Sequence, residues 1–303
     1  MNSSAHDRGS NGSSGGFHPK GSPTEEANAS RPTKGYRAFM ISLQNVSKTY
    51  PGGVGAIERL SLEIEAGETL VLLGASGCGK TTTLKLINRL VEPTSGTVLI
   101  EGRDVTSLDP VVLRRQIGYV FQGIGLFPHW TVAENVAAIP KLLGWSDARI
   151  QDRVDTLLND VGLPPDAYRA RRPAELSGGQ QQRVGVARAL AAETRILLMD
   201  EPFGAVDPIT RDGLQEQIKQ IQKQLDLTII LVTHDVSEAL LLADRLAIMD
   251  SGRILQVGSA HELSTQPADP QVASLLAMPR RQSKRLQSII GAGTTARDRS
   301  DDD

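Results

Sequence analysis

The sequence predicts an α/β protein, and three patterns lead to that class. Two short, continuous apolar runs, ILLMD at 196–200 and TIILVT at 228–233, are typical of strands covered on both faces of a parallel sheet. Upstream of residue 103, alternating apolar and polar residues (ISLQNV, LSLEIEAGE and GTVLIEG) indicate antiparallel strands. A segment from about Gly123 to Glu175 has the character of a helical insertion. We therefore expect a mixed α/β core with an antiparallel β subdomain and an α-helical insertion subdomain.

The remaining elements follow from local signals. TLVLLG, at 69–74, is a buried strand that leads into a glycine-rich loop, and a helix is expected from Lys80 to Leu90. IGYVFQ, at 117–122, is a strand that ends at Gln122, and GLPPDAY, at 162–168, is a turn. RLAIMDSGRILQVG, at 245–258, is a hairpin around Asp250-Ser251-Gly252.

The chain divides into three parts by composition. Residues 1–39 are rich in Gly, Ser, Asn and Pro and are expected to be a disordered leader. Residues 40–265 hold the regular patterns and form the main domain. Residues 266–303 are a helical, charged tail that contains RRQSKR and ends in DRSDDD. A solvated terminal helix explains this tail, with a membrane-surface patch as the alternative.

Bulk composition narrows the function classes. A formal net charge of -2 gives no general electrostatic reason to bind nucleic acid, and we expect no nucleic-acid partner. The single cysteine, Cys78, excludes an internal disulfide. No apolar run approaches the ~20 residues that cross a bilayer. We expect a soluble chain whose membrane role, if it has one, comes through a partner.

The motif GASGCGKT fits the phosphate-loop pattern G-x-x-x-x-G-K-[ST], between an expected strand and an expected helix. Its glycines let the backbone wrap around phosphates, Lys80 reaches the β and γ oxygens, and Thr81 ligates Mg²⁺. A chance glycine-rich turn is the alternative, which the flanking strand and helix disfavour. The predicted nucleotide-binding residues of this loop are Gly74, Ala75, Ser76, Gly77, Cys78, Gly79, Lys80, Thr81 and Thr82.

Four further residues gain meaning from this loop. Asp200 ends an apolar strand and can hold Mg²⁺, while Glu201 is placed to orient or deprotonate the attacking water. Gln122 can reach the metal or the water, and His234 follows TIILVT at the same sheet edge, within reach of the γ-phosphate. Without the phosphate loop, an acidic pair after a strand would be interpreted as part of a turn, and a lone histidine at such a position as a structural residue.

Two more local features suggest binding. Tyr50, just before PGG, is placed to stack on a base, although packing is the alternative. Cys78 lies near a helix start and two residues before Lys80, which favours a reactive thiolate; the alternative is a small inert residue whose thiol is out of reach.

LSGGQQQRVGVARAL, at 176–190, forms a second glycine-rich helix start suited to an anion. One nucleotide needs only one such loop, so a second phosphate site requires an explanation. The residues of this site are Ser177, Gly178, Gly179 and Gln180.

Taken in order, these motifs resemble the nucleotide-binding subunit of ATP-binding-cassette (ABC) transporters over about Ile41 to Leu263. LSGGQ between the phosphate loop and ILLMDEP is close to diagnostic, and GAVD at 204–207 supplies the family's D-loop, with Asp207 at the nucleotide. The resemblance implies a phosphate-loop NTPase (RecA-like) core that hydrolyses ATP with Mg²⁺. It also implies a head-to-tail homodimer, in which each ATP lies between one chain's phosphate loop and the partner's Ser177 and Gly179.

The resemblance further implies integral-membrane permease subunits, an indirect link to a substrate-binding protein, and a place at the cytoplasmic face of the cell membrane. The stretch from Gln122 to Trp145, of which 124–130 would face the permease, and DPITRDGLQEQ, at 207–217, are similar to importers of glycine betaine, carnitine or choline. Val206 replaces the usual leucine, and too few residues follow Leu263 for the CBS domains of some members. The alternatives are importers of other solutes such as amino acids, non-transport ABC ATPases, and phosphate-loop kinases.

Overall fold

The computed structural model describes residues 39–297, except residues 124 and 205, and the side chains of residues 286 and 290–297 are not described. Ten strands lie in this part of the chain: β1 Phe39–Thr49, β2 Gly55–Glu65, β3 Thr69–Leu73, β4 Ser95–Ile100, β5 Arg103–Asp104, β6 Ile117–Val120, β7 Ile196–Asp200, β8 Thr228–Thr233, β9 Arg245–Asp250 and β10 Arg253–Gly258. The predicted leader at 1–39 lies outside the described residues, apart from Phe39 at the start of β1.

The α-helices of the described chain are α1 Lys80–Ile87, α2 Pro110–Arg115, α3 Val132–Val136, α4 Ala138–Leu142, α5 Asp147–Asp160, α6 Pro165–Tyr168, α7 Gly178–Leu190, α8 Pro208–Leu225, α9 Val236–Leu242, α10 Ala260–Thr265, α11 Pro270–Leu276 and α12 Met278–Arg297. Short 3₁₀ turns occur at Val105–Ser107 and Pro173–Glu175. No helix of the described chain is long and apolar enough to cross a membrane.

The strands form two sheets, as the two kinds of sequence pattern predict. β2-β1-β4-β5 is antiparallel, and the second sheet has the order β10-β9-β3-β8-β7-β6. In the second sheet β9, β3, β8, β7 and β6 run parallel, and β10 returns antiparallel through the predicted hairpin. Residues after β3, β6, β7 and β8 therefore meet at one edge of this sheet, where ligands bind in open α/β folds.

Continuous apolar strands arise because both faces of the parallel sheet are covered. In β3, Leu70 and Leu72 face the antiparallel sheet and α1, while Val71 and Leu73 face a second cluster that includes residues from α7 and α8. All five residues of β3 are buried. Alternate side chains of β3 thus enter different hydrophobic cores, which explains why its apolar run is nearly continuous.

Helices α3 to α6 and the 3₁₀ turn that ends at Glu175 lie within the range expected for a helical insertion, although the first of these helices begins only at Val132. Thr131 begins it with a capping box, in which its hydroxyl accepts from the Glu134 amide and Glu134 accepts from the Thr131 amide. Asn135 is fully buried and bonds the backbone of Phe127 through both its side-chain oxygen and its nitrogen. These bonds fix the start of the insertion against the segment that follows β6.

Three sequence-based boundaries differ from the structure. The helix expected over Lys80–Leu90 ends at Ile87, because Arg89 adopts a left-handed conformation (φ 52°) that a helix cannot continue. The strand IGYVFQ ends at Val120, so that Gln122 lies in the following turn. The expected turn GLPPDAY contains the short helix α6, because proline suits the first turn of a helix.

Candidate functional site

The phosphate loop connects β3 to α1 and lies at the carboxyl edge of the parallel sheet. Gly77 and Gly79 have φ values of 79° and 107°, which favour glycine. A Cβ on Gly79 would lie 2.6 Å from the Ala56 carbonyl oxygen, so that this position also lacks space for a side chain. Residues 75–77 are exposed, whereas Gly74 and residues 78–80 are buried. The exposed backbone is therefore held by a buried frame.

The loop and the start of α1 suit a bound anion. Gly79 is the N-cap of α1 and supplies no side-chain bond, so the first amides of the helix are not capped by that side chain. Lys80 Nζ donates to the carbonyl oxygens of Gly74 (2.7 Å) and Ala75 (2.8 Å). Its ammonium therefore lies inside the curve of the loop. These residues fit the triphosphate of ATP, with Ser76 and Thr82 completing the loop.

A hydroxyl and a carboxylate, the usual ligands of Mg²⁺ beside a triphosphate, meet where the loop enters α1. Thr81 Oγ1 donates to Asp200 Oδ1 at 2.9 Å. Asp200 is 5% exposed, and its burial raises the pKa of the carboxyl; the charge of Glu201 raises it further, while the Thr81 hydrogen bond lowers it. A divalent cation between these oxygens would relieve the cost of burying the ionised carboxylate.

Glu201 lies between the two other predicted site residues. Gln122 Nε2 donates to Glu201 Oε2 at 3.1 Å, and His234 Nδ1 lies 3.3 Å from Glu201 Oε1. The Glu201 backbone is left-handed (φ 45°), and its amide donates to the Val232 carbonyl oxygen at 3.0 Å. The turn after β7 thus places this carboxylate between residues that follow β6 and β8.

One residue of this site was missed by the sequence analysis. Tyr119 in β6 places its hydroxyl 3.5 Å from Asp200 Oδ2, and burial raises the pKa of the phenol. The signal was present, since a tyrosine in the apolar run IGYV is a polar group that needs a partner. The pairing of Tyr119 with Leu198, which places it beside β7, is not visible in the sequence.

The LSGGQ segment forms the start of α7. Ser177 and Gln180 make a capping box, and Gln180 Nε2 also contacts the Tyr168 hydroxyl at 3.2 Å. Gly179 is buried, and a Cβ there would lie 2.3 Å from Thr210 Cγ2 in α8, whereas Ser177 is exposed and Gly178 half-buried. Among the described residues, no hydrogen bond joins 177–180 to the phosphate loop at 74–82.

The segment at 204–207 leads into α8. Asp207 caps this helix by accepting from the Thr210 amide at 3.0 Å, and hydrogen bonds from the Thr210 hydroxyl and amide lower the pKa of its carboxyl. Val206, at the position where the resemblance implies a leucine, is 4% exposed and joins the core. Ile209, two residues after Asp207, has 89% of its surface exposed.

Tyr50 and Cys78, both predicted to contact the nucleotide, also make contacts within the chain. Tyr50 is half-buried, and Lys48 Nζ lies 5.3 Å from its ring centroid. The Cys78 thiol is 4% exposed and lies in the core, 3.8 Å from Lys80 Nζ. Burial favours the alternative in which Cys78 is a small packing residue, rather than a thiolate that a bulky reagent attacks.

Comparisons with known proteins agree with the motifs. Residues 57–204 match the family model of the ABC transporter. The chain is 53% identical over 241 residues to the choline transport ATP-binding protein OpuBA of Bacillus subtilis (strain 168), which covers 80% of this chain and 63% of OpuBA. It is 52% identical over 230 residues to the glycine betaine uptake system ATP-binding protein YehX of Escherichia coli (strain K12), covering 76% of this chain and 74% of YehX.

A solved structure shows the same fold. It is the dimeric post-hydrolysis state of the ATP-binding cassette MJ0796 bound to ADP and Pi, with a TM-score of 0.65 and 34% identity. The match covers 73% of this chain and 98% of that one. The predicted phosphate-loop NTPase core with its antiparallel subdomain is thereby confirmed. From its motifs, its fold and these relatives together, the chain belongs to the ABC transporter family of ATP-binding cassettes.

Proposed function

We propose that this chain hydrolyses ATP to drive an importer of quaternary amines. The observation that carries the proposal is the position of the Glu201 carboxylate, between Gln122 (3.1 Å) and His234 (3.3 Å) and directly after Asp200. A carboxylate held from two sides at the edge of a phosphate loop is suited to orient and deprotonate water.

Each residue of the edge has a role in this scheme. The loop backbone and Lys80 hold the phosphates, and Thr81, Asp200 and Gln122 hold Mg²⁺, which neutralises phosphate charge when bound. Glu201 accepts a proton from the attacking water at its carboxylate. His234 holds that carboxylate and donates to the γ-phosphate. The roles of catalytic residue thus fall to Glu201, His234 and Gln122.

The second glycine-rich helix start belongs, in this proposal, to the ATP of a partner copy. Ser177 and the amides near Gly179 would bind the γ-phosphate held by the partner's loop, and Asp207 would lie at the same boundary. Support comes from the absence of described hydrogen bonds between 177–180 and 74–82, and from the exposed Ile209 beside Asp207. The dimeric MJ0796 relative agrees with it.

An apolar groove offers a surface for a permease at the cytoplasmic face of the membrane. It has a volume of about 560 Å³ and lies between β6, the segment after Gln122 and the insertion helix α4. Phe127 and Trp130 line it with rings 4.4 Å apart, and they are 46% and 41% exposed. Exposed aromatic residues at a concave surface are typical of protein interfaces.

Quaternary amines are proposed as the solute because the curated relatives OpuBA and YehX serve choline and glycine betaine. Uptake of radiolabelled choline, glycine betaine and an amino acid tests this, in cells that express the chain with the permease and binding protein encoded beside it. Uptake of the amino acid alone would reject the assignment and leave the ATPase intact. An ATPase without any uptake would favour a non-transport role.

Mixed dimers test the shared site. Lys80→Ala disables a chain's own loop, and Ser177→Arg blocks the site that it offers its partner, so each variant alone should be inactive. With random pairing about half of the dimers are mixed, and each keeps one intact site, so at most about a quarter of the wild-type sites return. ATP-dependent association of the two chains is measured in parallel. A Ser177→Arg dimer with wild-type turnover would reject the composite site.

A further inference from the structure

Arg211, Asp235, Thr233 and Glu238 form a polar cluster next to His234, in which Thr233 and Glu238 are buried. Arg211, in the first turns of α8, donates from Nη2 to the Val206 carbonyl oxygen at 3.2 Å. Its Nη1 lies 3.4 Å from Glu238 Oε1 in α9. Its Nε makes no hydrogen bond among the described residues, so the two Nη groups anchor the guanidinium. One side chain therefore bridges the residue before Asp207 and a helix that follows His234.

Glu238 extends this bridge to both neighbours of His234. Its second oxygen accepts from Thr233 Oγ1 at 2.6 Å, and Thr233 Oγ1 accepts from the Asp235 amide at 3.0 Å. Asp235 also faces Arg211, with Nη1 and Oδ2 3.9 Å apart. The backbone on each side of His234 is thus fastened to the same carboxylate and guanidinium.

The exposed side chain of His234 depends on the neighbouring backbone for its position. Its side chain is 65% exposed, and its polar contact in the described chain is the Glu201 oxygen at 3.3 Å. An exposed imidazole has little packing of its own, so its backbone must set its position. Glu238 is 6% exposed, and a buried carboxylate paired with Arg and a hydroxyl is rigid but costly to leave unpaired.

We propose that Arg211 and Glu238 are positioning residues that fix His234 relative to the Val206–Asp207 segment. The proposal rests on the proposed role of His234 in hydrolysis. Because Asp207 would lie at the boundary with the partner, a displacement of that boundary would be passed through Arg211 and Glu238 to His234. Hydrolysis would then depend on correct dimer contact as well as on bound nucleotide.

A matched control exists in the same molecule. Arg245 and Glu68 form a second pair at 3.2 Å, with 33% and 4% of their side chains exposed, against 30% and 8% for Arg211 and Glu238. Arg245 begins β9 and Glu68 directly precedes β3, so this pair lies at the amino ends of the parallel strands. It has the same chemistry and burial but is at the opposite sheet edge from His234.

Steady-state ATP hydrolysis by the full chain, assembled with its permease, provides the test. Arg211→Ala should lower kcat about tenfold and leave KM and nucleotide affinity within about twofold, as expected for a group that acts on a catalytic residue. Glu238→Gln should behave alike, and the double variant should lose no more than the worse single variant. Arg211→Lys should recover part of kcat. Arg245→Ala should lower Tm comparably without lowering kcat.

Hydrogen exchange separates positioning from general destabilisation. Amides at 233–238 should exchange faster in Arg211→Ala than in Arg245→Ala at equal distance below each variant's Tm. An unchanged kcat in Arg211→Ala, or an equal loss in Arg245→Ala, would overturn the proposal. If Arg211→Ala does not fold, the kcat and the hydrogen exchange of Glu238→Gln and Arg211→Lys are compared with those of Arg245→Ala instead. His234→Ala with full activity would instead reject the proposed role of His234.

Discussion

His234 Nδ1 lies 3.3 Å from Glu201 Oε1, and the other carboxylate oxygen of Glu201 accepts from Gln122 Nε2 at 3.1 Å. A base held from both sides keeps its orientation when its charge is removed. Glu201→Gln is therefore expected to bind MgATP but to lower kcat by about 10²–10⁴-fold, the usual contribution of a general base. Size-exclusion chromatography with ATP should show a stable dimer. A monomer, or turnover at the normal rate, would remove Glu201 from this role.

Because Phe127 lies at the surface, its substitution can test docking to the permease without disturbing the fold. Phe127 is 46% exposed, whereas Leu126 is half-buried and packs on the core. Phe127→Asp is expected to abolish transport while leaving the circular dichroism spectrum and the basal hydrolysis of the isolated chain unchanged. Leu126→Asp, as the comparison, should lower the free energy of unfolding by roughly 2–4 kcal/mol. Unfolding of Phe127→Asp would mean that Phe127 is a core residue.

A side chain at Gly179 is predicted to clash with Thr210, and a smaller residue at 210 should relieve the clash. A Cβ at this position would lie 2.3 Å from Thr210 Cγ2, 3.3 Å from Thr210 Cβ and 3.4 Å from Val206 Cγ1. Gly179→Ala should therefore destabilise the chain by about 1–3 kcal/mol, as overpacking does. Thr210→Ser removes the clashing methyl group and keeps the hydroxyl. Urea denaturation should show that it restores most of the loss in the Gly179→Ala background; purely additive effects would contradict the packing shown here.

Asp200 is expected to lower the stability of the metal-free chain, because its ionised carboxylate is buried where Mg²⁺ would bind. Burial raises the pKa of its carboxyl, so folding disfavours the ionised form. For a carboxyl of raised pKa, stability is full below the unfolded-state pKa and falls as the pH rises through the folded-state pKa. Asp200→Asn should therefore raise Tm by a few degrees in Mg²⁺-free buffer at neutral pH, while abolishing the further stabilisation by MgATP.

The pH dependence gives the check on that explanation. The gain in Tm should shrink as the pH falls from neutral to about 3, below the unfolded-state pKa of about 3.9, because the wild-type carboxyl is then mostly protonated in both states. Asp152→Asn, on the exposed face of α5, serves as the control and should change Tm little at either pH. A gain that is the same at both pH values would show that charge burial at Asp200 is not its cause.

The local chemistry of this protein could be predicted from its sequence. A few residues suffice to predict a backbone geometry or a set of ligands in the motifs GASGCGKT, LSGGQ and ILLMDEP. The continuous apolar runs predict a sheet that is covered on both faces. Because parallel strands align their carboxyl ends, the meeting of Gln122, Asp200, Glu201 and His234 at one edge also followed from the order of the strands.

Only the tertiary structure decided which side chains touch. The register of β6 on β7 places Tyr119 beside Asp200, and the Arg211–Glu238 ion pair joins α8 to α9. The burial of Cys78 and the exposure of Phe127 were likewise decided by packing, which the sequence leaves open. The physical reason is that these contacts join elements distant along the chain. Short-range patterns fix periodicity and turns, but register and side-chain burial depend on how all the elements pack together.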